Sequence, residues 1–200
     1  MTDPVGRAGA SRPRGPGDPD LVDVRASQTD RAAFGTLYRR YLERVYGYAF
    51  YLLGDHHDAE DATERTFVAA LAGIGAFRDE GASFRSWLFR IAHNQVANAL
   101  RSRGRRSAAS LEVVAEPMSG SADPAAAVTA ADEARELRRA LAMLSDDRRQ
   151  VIVLRFVDGL SAREIGVVLG RSEGAVRVLQ HRALRELAAT LDHEGPRSAV

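Results

Sequence analysis

The sequence has no cysteine among its 200 residues, which excludes disulfides, cysteine-ligated zinc sites and thiol redox switches. It has no lysine either, so all 28 basic side chains are arginine. Because alanine is abundant as well, we attribute this bias mainly to a GC-rich coding sequence. No apolar run reaches the length of a membrane-spanning helix, and the N-terminus lacks the hydrophobic core of a signal peptide. We therefore expect a cytoplasmic protein without membrane insertion.

Net charge is nearly absent too, since its formal value is only +1. Total charge therefore does not indicate a nucleic-acid partner. The distribution of charge is more informative, because arginines cluster at 101–106 and in the C-terminal helices, whereas acidic residues gather at 55–64. With 45% hydrophobic and 28% charged residues, the composition is that of one globular domain of moderate size or two small ones.

The stretch 160–187 predicts a helix-turn-helix. Ser161 and Glu164 have the spacing of a capping box, and Gly170 supplies the left-handed conformation that ends a helix. Ser172 can cap a second helix almost at once. The apolar stripe of that second helix comprises Val176, Leu179, Ala183 and Leu187, and its opposite face carries Arg177, Val178, His181, Arg182 and Arg185. Such a face suits phosphates and base edges in a major groove, although a solvated face on an ordinary bundle is the alternative.

Helical periodicity continues through most of the remaining chain. Apolar residues repeat at three and four between 29 and 54, again between 55 and 74, and after the capping residue Ser83. We predict an all-α protein of two small helical domains, at 25–106 and 132–190. The other segments are predicted to be a disordered tail at 1–24, a flexible linker at 107–131 and a frayed tail at 191–200.

The acidic stretch raises the question of a metal site. His56 with Glu60, and His57 with Asp61, lie one helical turn apart, which is a spacing that a metal can use. No third ligand is evident, and acids in a first helical turn are ordinary partners of the helix dipole. We therefore predict no metal and no cofactor. A polar face on a helix that packs firmly can instead be a protein docking surface.

The helix after Ser83 leads directly into the arginine run. The side chains outside its predicted inner face include Trp87, Arg90, His93, Asn94, Gln95, Asn98 and Arg101. Aromatic rings can stack on unpaired bases, amides can read base edges, and arginine neutralises phosphate. The alternative is that Trp87 belongs to the core and the arginine run begins a solvated linker. Composition does not separate these two interpretations.

The order of these motifs resembles bacterial RNA polymerase sigma factors of the sigma-seventy family, in the extracytoplasmic-function subgroup. Residues 58–67, DAEDATERTF, look like the core-binding helix of that family's region two. Residues 84–94, FRSWLFRIAHN, look like its promoter-melting and minus-ten-reading helix. Residues 144–148 and 158–185 look like region four. The short linker leaves no room for the middle DNA-binding domain of larger sigma factors, which identifies the subgroup.

The resemblance implies a transcription initiation factor and not an enzyme. Such a protein directs polymerase core to specific promoters and assists DNA melting, as a stress- or signal-responsive alternative sigma factor. The implied partners are the clamp helices of the largest polymerase subunit, the flap of the second-largest subunit, promoter DNA and an anti-sigma factor. The residues implied for polymerase core are Glu60, Asp61, Glu64 and Phe67. Those implied for minus-ten DNA are Phe84, Trp87, Arg90, His93, Asn94, Asn98 and Arg101. Those implied for minus-thirty-five DNA are Arg171, Ser172, Arg177, Val178, His181, Arg182 and Arg185.

Two other classes of protein remain open at this point. One is a helix-turn-helix regulator that does not use polymerase as its scaffold, which the minus-ten-like helix argues against. The other is a metal-dependent enzyme built on the histidine and acid pairs, which the missing third ligand argues against. Co-purification with polymerase core and metal analysis would separate all three classes.

Overall fold

The computed structural model describes residues 18–79, 81–107, 137 and 139–194, and every regular element in these ranges is helical. This confirms the predicted all-α class. The helices are α1 (Leu21–Thr29), α2 (Phe34–Leu53), α3 (His56–Gly73), α4 (Phe84–Ser107), α5 (Asp146–Ile152), α6 (Ala162–Leu169) and α7 (Glu173–Glu194). Short 3-10 turns lie at Arg31–Ala33 and Ile74–Ala76, and a π-helix, Val153–Val157, continues α5. Among these described helices, none combines the length and hydropathy needed to cross a membrane.

Local signals set the helix ends in the first domain. Gly54 ends α2 with a φ of 69°, a conformation that favours glycine. The Asp55 carboxylate then accepts a hydrogen bond from the backbone N–H of Asp58 at 2.9 Å and caps α3. The Ser83 hydroxyl accepts one from the backbone N–H of Ser86 at 3.2 Å and caps α4, as predicted.

Helices α2, α3 and α4 pack together around the core of the first domain, and α1 packs on α2. The buried positions of α2 repeat at three and four, as the sequence predicted. They are Phe34, Leu37, Tyr41, Val45, Tyr48, Ala49, Leu52 and Leu53. Each large apolar side chain removed from water contributes about 1.5–3 kcal/mol, so this face supplies much of the drive to fold.

The helix-turn-helix of the second domain forms as predicted. Ser161 and Glu164 make a reciprocal capping box, with the Ser161 N–H donating to the Glu164 carboxylate at 2.9 Å. Gly170 ends α6 with a φ of 64°. The Ser172 hydroxyl caps α7 by accepting from the Ala175 N–H at 3.2 Å. Only three residues, 170–172, therefore separate α6 from α7.

Gly166 allows the turn between α6 and α7 to approach closely. A Cβ added there would lie 2.6 Å from the carbonyl oxygen of Arg171, which is too close for any real contact. The backbone N–H of Arg171 donates to the Gly166 carbonyl at 2.9 Å across the same junction. Since the obstructing atom belongs to the backbone, it cannot swing aside as a flexible side chain can.

Both predicted tails are shorter than expected where the structure describes them. Helix α1 begins at Leu21, inside the predicted tail at 1–24, because Leu21 and Val24 pack on the core. Helix α7 continues to Glu194, past the expected end at 190. The predicted linker lies outside the described residues, apart from Ser107 at the end of α4, as do residues 1–17 and 195–200.

The two domains pack directly against each other in what we call the closed arrangement. Helix α4 contacts α6, the π-helix contacts α2, and buried residues of both domains form one hydrophobic cluster. Tyr48 and Phe89 of the first domain are fully buried, as are Leu154 and Leu160 of the second. Periodicity within each domain carries no information on this packing, which the sequence therefore did not predict.

Candidate functional site

An open cleft of about 810 Å³ lies between α2 and α3. Its walls include Tyr38 and Val68, which remain 40% and 61% exposed despite being large apolar side chains. Carboxylates at its edge belong to Glu43, Glu60, Asp61 and Glu64. An apolar cleft with an acidic edge suits a helix that carries apolar and basic residues.

The residues implied for polymerase binding take different places around this cleft. Glu60, Asp61 and Glu64 are exposed, and Asp61 forms an ion pair with Arg65 at 3.1 Å. Phe67 is only 5% exposed, with its ring edge-on to that of Tyr38 at a centroid distance of 4.8 Å. A partner therefore reaches Phe67 only by entering the cleft.

The histidines of α3 do not assemble a metal site in the part of the chain that the structure describes. His57 Nδ1 lies 4.0 Å from the Glu60 carboxylate, whereas the His56 ring stacks on Phe50 at a centroid distance of 4.3 Å. No group of three or more histidine or acidic side chains there is placed to hold an ion.

Helix α4 divides the implied minus-ten residues into two groups. Arg90, Asn94, Asn98 and Arg101 are exposed. Phe84 is fully buried against Tyr41 and Phe77, so the expectation that it contacts DNA is wrong. The capping of α4 at Ser83 places position 84 at the first turn, where it faces the core.

Trp87 and His93 are also less exposed than residues on an open DNA-binding surface would be. Trp87 is half-buried, with its ring 5.3 Å from that of Phe77 and 5.6 Å from that of Phe84. His93 is half-buried, and its Nδ1 lies 3.3 Å from the Tyr48 hydroxyl oxygen. Burial lowers the pKa of the His93 imidazole. The charge of Asp147 in the second domain acts against this lowering of the pKa.

The recognition helix α7 presents every implied base-reading side chain to solvent. Arg177, Val178, His181, Arg182 and Arg185 are exposed, whereas Val176 and Ala183 are buried. Arg177 is oriented by Glu173, which accepts from its Nη2 at 2.6 Å and from its Nε at 3.2 Å. Outside the helix, Arg171 pairs with Asp147 at 2.5 Å, and the Ser172 hydroxyl serves as the helix cap.

Sequence reasoning missed the part that α1 plays beside the loop before α4. The Gln28 side-chain amide donates to the carbonyls of Ile74 and Phe77, each at 3.0 Å. The Asp18 carboxylate accepts from the backbone N–H of Phe84 at the start of α4. The N-terminal segment thus holds both ends of the loop. The available signal was the Leu21 and Val24 pair, which has helical spacing.

Glu164 joins the two domains as well as capping α6. Its carboxylate accepts from Arg85 Nη2 at 2.7 and 2.8 Å, from Arg85 Nε at 3.2 Å, and from the Ser83 hydroxyl at 2.9 Å. Burial opposes ionisation of Glu164, but the hydrogen bonds of Arg85 and Ser161 lower its pKa to about 2. The carboxylate is therefore ionised in the closed arrangement.

Asp158 is a buried carboxyl at the same junction. It is 1% exposed, and neither carboxylate oxygen has a hydrogen-bond partner among the described residues. Its backbone carbonyl accepts from Arg44 Nη2 of the first domain. Burial raises the pKa of Asp158 to about 7, against the attraction of Arg44 and Arg85.

Comparison with known proteins accounts for both halves of the chain. The family model of sigma-70 region 2 matches residues 37–106, and that of sigma-70 region 4 matches residues 134–187. The ECF RNA polymerase sigma factor BldN of Streptomyces coelicolor is 36% identical over 86% of this chain and 65% of its own length. The chain therefore spans just under two thirds of that relative. The ECF RNA polymerase sigma factor ShbA of Streptomyces griseus is 37% identical over 69% of this chain and 74% of its own.

Two solved structures share the fold. CnrH, in complex with the cytosolic domain of CnrY, superposes with a TM-score of 0.69 at 28% identity, over 88% of this chain and 99% of that one. The sigma factor RpoE of Bartonella quintana, in complex with the anti-sigma factor NepR, gives 0.64 at 27% identity, over 80% of this chain and 98% of that one.

Fold and surfaces together define a two-domain helical protein with a helix-turn-helix whose arginine face is open to solvent. The chain belongs to the extracytoplasmic-function RNA polymerase sigma factors of the sigma-70 family.

Proposed function

We propose that the chain directs RNA polymerase core to specific promoters and assists DNA melting, as a signal-responsive alternative sigma factor in the cytoplasm. The observation that carries the proposal is the presence of both sigma regions in order, with an exposed arginine face on α7. The chain contributes binding and positioning and performs no catalysis of its own, so the polymerase supplies the chemistry.

The first domain docks on polymerase through the cleft between α2 and α3. Its acidic edge attracts a basic helix, and the exposed Tyr38 and Val68 side chains give that helix an apolar surface to bury. The clamp helices of the largest polymerase subunit are the proposed occupant. The flap of the second-largest subunit is the proposed partner of the second domain.

Promoter DNA is bound at two places. Helix α7 reads the minus-thirty-five element in the major groove, as recognition helices do. The loop before α4 and the exposed residues Arg90, Asn94 and Asn98 hold unstacked bases of the minus-ten element. Unpairing a base costs a few kcal/mol, and a surface that binds only the extruded base offsets that cost.

The proposed signal response acts through an anti-sigma factor. The support is that the related RpoE was solved with its anti-sigma factor NepR. A polypeptide lying in the cleft between α2 and α3 would compete directly with polymerase.

In vitro transcription tests the proposal. Polymerase core with the purified chain should initiate at discrete sites on genomic DNA, where core alone does not. Replacing Asp61 and Glu64 by arginine should weaken core capture in a pull-down at least tenfold with unchanged helicity, whereas Arg39→Glu, on an exposed position of α2, should not. Absence of any start site that depends on the chain would refute the function, and undiminished capture would refute the docking surface.

A further inference from the structure

We propose that Ser83 and Arg85 bind a backbone phosphate of promoter DNA, and that Glu164 occupies that phosphate position in the closed arrangement. This inference rests on the proposed function and deepens it. It assigns the junction between the domains a role in DNA binding that neither domain reveals alone.

The donors around Glu164 have the arrangement that an oxyanion requires. Arg85 offers Nε and Nη2 to one carboxylate oxygen and Nη2 to the other, and the Ser83 hydroxyl adds a third donor at 2.9 Å. The guanidinium fork binds carboxylate and phosphate alike through parallel hydrogen bonds. The position of the Glu164 carboxylate is therefore also a position where a phosphate can bind.

The anion at this place comes from the other domain. Glu164 lies 79 residues from Arg85 in the sequence, and both side chains are partly shielded, with 19% and 27% exposure. Glu164 keeps its hydrogen bonds with Ser161 whether or not the domains touch, because both residues belong to the capping box at the start of α6. Among the described residues Arg85 has no acceptor other than Glu164, whereas the Ser83 hydroxyl can also donate to the Ser86 hydroxyl at 3.2 Å. Separation of the domains therefore leaves the Arg85 guanidinium available to another anion, with the Ser83 hydroxyl beside it.

Promoter binding requires that separation. In the closed arrangement α6 packs against α4, so the helix-turn-helix lies beside the proposed minus-ten surface. Elements centred near minus ten and minus thirty-five are about 25 base pairs apart, roughly 85 Å along the DNA axis at 3.4 Å per step. The chain cannot hold both while Glu164 remains on Arg85. Separation of the domains for promoter binding therefore also moves the Glu164 carboxylate away from Arg85.

Location also favours a backbone phosphate as the replacement. Ser83 caps α4, and Arg85 lies in its first turn, directly after the loop proposed to take unstacked bases. A strand that leaves this loop passes the start of α4 with its phosphates. Contacts of this kind position the strand without reading its sequence.

Opposite effects of two substitutions test the inference. Binding of a random-sequence, fluorescein-labelled 12-nucleotide single strand to the full chain is measured by anisotropy across a salt series. Glu164→Gln should raise affinity at least threefold, because the amide retains the capping geometry and removes the competing charge. Arg85→Ala should lower affinity at least threefold and reduce the salt slope by about 0.7, the value for one single-strand phosphate.

Domain separation is followed in the same variants. Because the chain has no cysteine, cysteines introduced at Arg39 and Ala188, both exposed, accept a donor and acceptor dye without competition. Both Glu164→Gln and Arg85→Ala should lower transfer efficiency, since each removes the ion pair that joins the domains. The two variants should therefore change transfer efficiency in the same direction and DNA affinity in opposite directions.

The matched control is Glu186→Gln, which removes one charge from an ion pair with Arg148 inside the second domain. It should match the parent in DNA affinity and transfer efficiency. If Glu186→Gln raised DNA affinity as much as Glu164→Gln, the effect would come from total charge alone and the inference would be overturned. An Arg85→Ala chain with the DNA affinity and salt slope of the parent would also overturn it. If the parent chain drove no transcription while the two variants still changed DNA affinity in opposite directions, the proposed function would be refuted and the anion site would be retained.

Discussion

The exposed arginines of α7 have different surroundings, and we expect them to act differently on DNA. Arg177 is held by Glu173 near the start of the helix, whereas Arg185 lies two turns further along. An arginine held in one orientation can pair with the two acceptors of guanine, which discriminates against other bases by about 1–3 kcal/mol. An arginine near the end of the groove meets phosphate instead.

Replacing Arg177 or Arg182 with alanine should therefore relax specificity at one or two upstream positions. Arg185→Ala should weaken binding at all promoters about equally and lower the salt slope by about one. The measurement is transcription by polymerase with each variant from a library randomised across the upstream element. Unchanged base preferences for the Arg177 and Arg182 variants would show that this face does not read DNA.

Asn94 and Asn98 are the exposed amides of α4, and Asn98 accepts a hydrogen bond from Arg101. Alanine at either position should reduce permanganate-detected melting of duplex promoters several-fold, because amides that hold extruded bases act only after unpairing. A pre-melted template should restore part of the lost transcription. Arg39→Ala, on an exposed surface of α2, is the control. Normal duplex melting by both asparagine variants would remove these amides from the opening step.

At the scale of the element, the turn of the helix-turn-helix depends on Gly166. Gly166→Ala should lower the free energy of unfolding by about 1–3 kcal/mol or more, the usual cost of overpacking, because its Cβ would meet the Arg171 carbonyl. Gly174→Ala on α7 is the matched control, since nothing lies within 4 Å of its added Cβ. Urea denaturation followed by circular dichroism should show a lower midpoint for Gly166→Ala alone. Equal midpoints would mean that the turn shifts freely.

Elements were predictable from sequence where the interaction that defines them is local. The capping box of Ser161 and Glu164 spans three residues, and Gly170 sets the end of α6 by its own conformation. The apolar faces of α2 and α7 follow from spacing alone. The acidic edge of the cleft could also be predicted, because charged residues cannot occupy the inner face of a packed helix.

Interactions between distant residues could not be predicted in this way. Asp18 caps a helix 66 residues later, and Glu164 meets Arg85 across 79 residues. Nothing in the sequence near Asp18 indicates its distant partner, and the capping box of Glu164 indicates only its local one. Phe84 was placed on the DNA surface because a motif shows which residues recur together but not which of them face the core.

At the scale of the whole molecule, the buried Asp158 makes the closed arrangement depend on pH. Well below pH 3.8 the Asp158 carboxyl is neutral whether or not it is buried, so it does not oppose the closed arrangement. As pH rises towards about 7, the open chain ionises Asp158 first, so the stability of the closed arrangement falls. Above that value the carboxyl is charged in both states, and the loss stays constant.

Asp158→Asn should therefore raise the melting temperature of the chain more at pH 8 than at pH 5. His93 and Glu164 also have shifted pKa values near this junction, but both are present in parent and variant and cancel in the difference. Calorimetry at both pH values measures the difference in melting temperature between parent and variant. A difference that does not grow with pH would show that Asp158 is not buried in solution.

Glu164 also links two properties that selection would otherwise adjust separately. A single G-to-C exchange at the first codon position turns glutamate into glutamine, which retains a capping oxygen for the Ser161 N–H but loses its negative charge. After a gene duplication, one copy could then leave the closed arrangement without any change in the residues that face bases. Paralogues that differ at this codon would share promoters yet differ in basal activity, so regulation could diverge before recognition does.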